Sequence, residues 1–170
     1  MRADQERDYV AYVGARMIGL RRTAYRLCGD WHRAEDLAQT ALVLLYRHWR
    51  RASAAGSLDA YVRRILVNAY LEDQRRWWSR RVEPQAEPAT PPTAVAVDAR
   101  LDLLAALAGL PPGQRAVLVL RYWEGLDVAE TAEALGCRPG TVKSQTSHAI
   151  AALRRRLPGY ATQAGVEERT

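Results

Sequence analysis

The sequence predicts an all-α protein of two small helical domains joined by a proline-rich linker, on three observations. Apolar residues recur at helical spacing through both halves, as expected of helices buried along one stripe. Period-two alternation is scarce, and Ala, Leu, Arg and Glu dominate. The stretch VEPQAEPATPPTAVAV at 82–97 holds four prolines and little charge, which disfavours helix and stiffens an extended path. The expected organisation is a first domain over 1–81, a linker over 82–97, a second domain over 98–157 and a flexible tail over 158–170. Each block is the size of a small helical domain.

In the first block the spacing predicts helices over 5–28, 31–51 and 57–79, separated by CGD and ASAAGS. On the second of these, Leu37, Ala38, Ala41, Leu42, Leu44, Leu45 and Trp49 form a broad core-facing stripe. The reverse face carries Asp36, Gln39, Thr40, Val43 and Arg47 in the same rhythm. A solvent face tolerates one valine, so geometry alone leaves this face either solvated or a docking surface. The third helix places Arg64, Asn68, Leu71 and Arg75 together and then runs into QRRWWSRR. There Arg75 and Arg76 adjoin Trp77 and Trp78, pairing cations for phosphate with rings for unstacked bases. Trp77 continues the Tyr70–Leu66 side and is expected to plug the helix end into the core; Trp78 is open to either role.

In the second block the spacing predicts helices over 98–108, 113–124, 127–135 and 139–156. Leu110-Pro111-Pro112-Gly113 ends one helix and starts the next. Asp127, with Glu130 three residues later, predicts a capping box. Val128, Ala132 and Leu135 line one face, Gly136 is a C-cap candidate, and Pro139 suits a first helical turn. Along 139–156, at 100° per residue, Thr146, Ala149 and Leu153 fall within about 40° of Val142 and make the packing stripe. Opposite stand Ser144, Ser147, His148, Ala151, Arg154 and Arg155, with Lys143, the sole lysine, on the flank. A merely solvated face mixes signs and often carries Glu–Lys pairs. This one has cations and hydroxyls and no acid, begins at a helix N-terminus that favours phosphate, and follows a helix and a tight turn. That is the pattern of a helix-turn-helix set to read DNA.

The net charge of +6 favours an anionic partner, nucleic acid first. Residues 1–81 carry 16 arginines against nine acids, whereas 98–170 carry nine cations against eight acids, with the cations gathered largely in one helix. Chemistry on the chain itself has little to work with. His32, His48 and His148 lie on three separate helices, Glu35 and Asp36 diverge, and GTVKS lacks the upstream glycine and strand of a phosphate loop. Neither a catalytic set, a metal site nor a cofactor is expected. Cys28 and Cys137 lie far apart and outside metal-ligand spacing. The start MRADQERDYV is too charged for a signal peptide, and no apolar run approaches the ~20 residues of a membrane span. A soluble, cytoplasmic protein that does not engage a membrane is the expectation.

The order of parts resembles the small bacterial RNA polymerase sigma factors of the extracytoplasmic-function (ECF) group, in the sigma-70 superfamily and its minimal two-domain branch. The likeness runs over about 5–157 and rests on AEDLAQTAL at 34–42, AYVRRILVNAYLEDQRR at 60–76, LPPGQRAVLVLRYWEGL at 110–126 and AEALGCRPGTVKSQTSHAIAALR at 132–154. The resemblance implies that 1–81 is a region 2 domain for polymerase docking, recognition of the downstream (−10) promoter element and melting. It implies that 98–157 is a region 4 helix-turn-helix domain for the upstream (−35) element. Asp36 and Gln39 match the docking motif for the clamp helices of the largest polymerase subunit, and Thr40, Val43 and Arg47 complete that face. The flap of the second-largest subunit is an expected second contact.

Arg64 and Asn68 match −10 readers, with Arg75, Arg76 and Trp78 beside them and a base-capturing loop at about 51–58. Thr141 matches a phosphate contact at −35. Lys143, Ser144, Ser147 and His148 match base or backbone readers there, and Arg138 and Arg154 extend the set. This sequence departs from the family at Gln145 and His148, where arginines are common, and a neutral imidazole reads fewer acceptors than a guanidinium. The implied partners are core RNA polymerase and double- and single-stranded promoter DNA. An anti-sigma protein is a family expectation that no residue displays.

Two compact modules cooperating through a stiff tether is the resulting picture. Its rival is a stand-alone helix-turn-helix regulator. That reading explains 127–156 but leaves the Asp36 face and the RRWW segment idle, and no dimerisation heptad is evident. A nucleic-acid-modifying enzyme is disfavoured by the missing acidic or metal cluster.

Overall fold

A computed structural model describes residues 2–80 and 99–157, without the side chains of Trp78, Arg80 and residues 99–101. The expected linker at 82–97 and tail at 158–170 lie outside the described residues, and so does the role of the Trp78 ring. The described residues form eight α-helices: α1 Ala3–Cys28, α2 Trp31–Arg47, α3 Trp49–Ser53, α4 Leu58–Arg80, α5 Ala99–Ala108, α6 Pro112–Leu118, α7 Val128–Leu135 and α8 Pro139–Arg156. A π-helical turn, Val119–Trp123, continues α6.

Local chemistry sets the boundaries. Gly29 takes the left-handed conformation (φ +77°) that ends α1, its N–H donating to the Tyr25 carbonyl at 2.7 Å. Asp30 then caps α2, accepting from the Arg33 N–H at 2.8 Å. The helix expected over 31–51 breaks at His48, and the short α3 that follows seats Trp49 edge-on against Tyr9 at 5.4 Å. The helix expected over 113–124 is likewise interrupted: the Glu124 N–H reaches back five residues to the Val119 carbonyl, the bond of a π turn.

The first module packs α1, α2 and α4 around Leu20, Ala24, Leu27, Leu37, Ala41, Leu45, Val62 and Leu66. Each such leucine contributes about 1.5–3 kcal/mol by leaving water. Trp77 does not join them. It is 40% exposed, because the core on α4 closes at Tyr70 and the helix runs on beyond the α1–α2 pair.

The two modules are not held apart. Arg115 to Leu120 are all buried, so this run is enclosed on every side rather than along one stripe. Leu118 faces Leu107 and Ala149 within the second module, and Val117 faces Ala132 and Val142. Ala116, Val119 and Leu120, with Leu126 and Ala134, complete the core of the first module. Polar contacts flank this seam. The Arg115 Nε donates to the Arg26 carbonyl at 2.8 Å, near the C-terminal end of α1 where carbonyls lack helical partners. The Thr23 hydroxyl donates to Glu124 Oε1 at 2.6 Å, and Glu124 also faces Arg63 at 3.8 Å.

Candidate nucleic-acid interface

The helix-turn-helix forms as its capping chemistry dictates. Asp127 accepts from the Glu130 N–H at 2.8 Å while Glu130 accepts from the Asp127 N–H at 2.9 Å, closing the box at the start of α7. Gly136 (φ +62°) turns the chain, and Pro139 opens α8. Val142 and Ala149 are fully buried, with Thr146 and Leu153 half-buried beside them. The packing stripe is therefore the predicted one, and Thr146 satisfies its hydroxyl internally by donating to the Val142 carbonyl at 2.8 Å.

The opposite face of α8 is open. Arg138, Thr141, Lys143, Ser144, Ser147, His148 and Arg154 are all exposed, whereas Gln145 is half-buried on the flank. Among the described residues no carboxylate pairs with Arg138, Lys143, Arg154 or Arg155. The surface therefore offers unneutralised cations and hydroxyls along one helix, which suits phosphate and base-edge acceptors. A cleft of about 490 Å³ adjoins it, with His148 and Arg155 on one wall and Leu110 and Gln114 on the other. Arg156 closes one end by donating to the Gly109 carbonyl at 2.9 Å. The helical projection of α8 could not reveal Gln114 or this corner, because they come from α6 and the α5–α6 connection.

In the first module, Asp36, Gln39, Thr40, Val43 and Arg47 all face outward, Val43 with 58% of its surface exposed. The neighbouring Glu35 pairs with Arg21, but Asp36 has no ion-pair partner among the described residues. Tyr46, 45% exposed and edge-on to Tyr9 at 5.1 Å, extends this face with an aromatic edge that the sequence reading omitted.

Arg64, Asn68, Arg75 and Arg76 are exposed along α4, with Leu71 half-buried. Arg75 and Arg76 share Glu72, at 3.4 and 3.1 Å. Such exposed pairs contribute about 0–1 kcal/mol, little enough for a phosphate to displace. The loop expected at 51–58 is shorter than its sequence suggested. Helix α3 extends to Ser53 and buries Ala52, which leaves 54–57 as the exposed turn.

No group of three or more His, Cys, Asp or Glu side chains able to hold a metal occurs among the described residues. Both cysteines are free, and burial pushes each thiol above its ordinary pKa. No described helix is long and apolar enough to cross a membrane.

Comparison with known proteins adds an independent line. Residues 15–80 match the sigma-70 region 2 family and residues 100–153 match sigma-70 region 4. The chain is 38% identical over 168 residues to the RNA polymerase sigma-E factor of Streptomyces avermitilis, covering 95% of this chain and 92% of that one. It is 34% identical to the ECF RNA polymerase sigma factor SigL of Mycobacterium tuberculosis, covering 78% of this chain and 79% of that one. Its fold matches the sigma factor RpoE of Bartonella quintana, solved with the anti-sigma factor NepR, at a TM-score of 0.69 and 26% identity over 89% of this chain and 97% of that one. Two region matches in order, with relatives of this similarity over most of their length, establish that the chain belongs to the ECF group of sigma-70 RNA polymerase sigma factors.

Proposed function

We propose that this ECF sigma factor divides its work between the two exposed faces described above. The α2 face of Asp36, Gln39, Thr40, Val43 and Arg47 docks on the clamp helices of the largest subunit of core RNA polymerase, while the second module also meets the flap of the second-largest subunit. The α8 face, with Arg138, Thr141, Lys143, Ser144, Ser147, His148 and Arg154, lies in the major groove of the −35 element. Arg64, Asn68, Arg75, Arg76 and Trp78 engage the −10 element and its unpaired strand. The observation that carries this reading is the coexistence, on one chain, of an acid-bearing face whose Asp36 has no ion-pair partner among the described residues and a separate acid-free face on a capped helix-turn-helix.

Opening the duplex then requires no bond chemistry on this protein. Holding unstacked bases shifts an equilibrium in which each stacking step is worth about 1.4 kcal/mol. The work takes place in the cytoplasm, beside the polymerase. An anti-sigma protein is a further expected partner, as the Bartonella quintana relative was solved bound to one.

The test is transcription of a genomic-DNA template by core polymerase with and without the chain, the start sites being mapped by sequencing the transcripts. Discrete new starts preceded by a shared two-part sequence are expected. Initiation no greater than that of core alone would overturn the assignment.

A further inference from the structure

We infer that the outer face of α1 is a contact for a second copy of this chain, separate from the polymerase and DNA faces proposed above. Helices α1, α2 and α4 share one core, so each keeps a face turned away from it. On α1 that face carries Asp8, Ala11, Ala15, Ile18 and Arg22, all exposed. Helical projection sets these five within about 80° of one another, opposite the buried Leu20, Ala24 and Leu27. Ile18 leaves 65% of its surface in water, the most of any large apolar side chain among the described residues. The spacing of the five alternates three and four residues, which is the rhythm of a coiled-coil seam. Small and charged residues hold the positions where leucines would announce a heptad, so sequence periodicity alone does not show it.

A second copy is the occupant because the face complements itself. With two α1 helices antiparallel across a two-fold axis at Ala15, Asp8 and Arg22 stand seven residues to either side of that axis. Asp8 of each copy therefore faces Arg22 of the other, and the symmetry makes the pair twice. Neither side chain has an ion-pair partner among the described residues of its own chain. Between the charged pairs, Ile18 of one copy falls between Ala11 and Ala15 of the other, a large side chain over two small ones. A parallel pair would instead set Asp8 against Asp8 and Arg22 against Arg22, like charge against like. The seam from Asp8 to Arg22 is about 21 Å long. A contact of that length gives reversible self-association at high concentration rather than an obligate dimer.

The experiment is sedimentation velocity on the full chain, across a concentration series at low salt. The wild type should move from one chain mass toward two as concentration rises. Asp8→Arg and Arg22→Asp should each weaken self-association by about tenfold, because two attractive pairs turn repulsive together. Mixing these two variants should restore dimers, since each then meets the opposite charge at both pairs. The double variant should self-associate like the wild type. Ala15→Glu, which sets like charges against each other at the axis, should stay monomeric. All these positions are exposed, so helix content by circular dichroism should not change. A wild type that stays monomeric throughout would overturn the dimer and leave the α1 face to a different partner or to solvent. Dimers indifferent to the charge changes, or single variants that fail to restore each other when mixed, would also overturn the antiparallel contact.

Discussion

The Arg115 Nε donates to the carbonyl oxygen of Arg26 at 2.8 Å, joining helix α6 of one module to the end of α1 of the other. The same guanidinium leaves its Nη2 without a hydrogen-bond partner, and burial depresses its pKa from the usual arginine range. A cation in that position is expensive: it aligns the seam but costs desolvation.

Arg115→Met should therefore leave the folded chain as stable as the wild type, or more stable by about 1–4 kcal/mol, since an apolar side chain of similar volume avoids burying the charge. Urea denaturation measures this. A loss of several kcal/mol would show that the guanidinium is better satisfied than its bond to the Arg26 carbonyl implies.

Asp36→Arg should weaken association with core polymerase at least tenfold, because an exposed carboxylate becomes a cation on the proposed docking face. Circular dichroism should be unchanged, as the side chain is exposed. Undiminished affinity in a pull-down would remove Asp36 from the interface.

Lys143→Ala should lower promoter affinity, and the slope of log affinity against log salt should fall by about one unit if the ammonium meets a phosphate. A lower affinity with an unaltered slope would assign Lys143 to base edges instead.

Alkali should loosen the first module. Burial, followed by the hydrogen bond that its hydroxyl donates to Asp59 at 2.9 Å, raises the pKa of the Tyr12 phenol above the ordinary tyrosine range. A raised folded pKa means that the stabilisation is complete below the unfolded value of about 10 and is lost as pH climbs through the folded one. Denaturation midpoints from pH 8 to 11 should fall more steeply for the wild type than for Tyr12→Phe. Parallel curves would contradict the assignment.

What could be read in advance follows from what periodicity encodes. The α8 faces were legible because Val142, Thr146, Ala149 and Leu153 recur at one angle, and the caps because Asp127, Glu130 and Gly136 have local chemistry. The same holds for the outward set on α2. The seam was not legible. The run RAVLVL announces burial on all sides, but Ala116, Val119 and Leu120 carry no mark of which neighbour covers them. Trp77 was misplaced because helical phase says where a side chain points, not where the partner helices end. The break at His48 depends on how Trp49 meets Tyr9 and Tyr12, two contacts 40 and 37 residues away in sequence.

The most direct test of the central claim is a footprint of the reconstituted holoenzyme on a promoter mapped by its own transcripts. Two protected segments with centres about 25 base pairs apart are predicted, with Lys143→Ala weakening the upstream segment first. A single short protected patch, or protection identical to that of core polymerase without the chain, would contradict it.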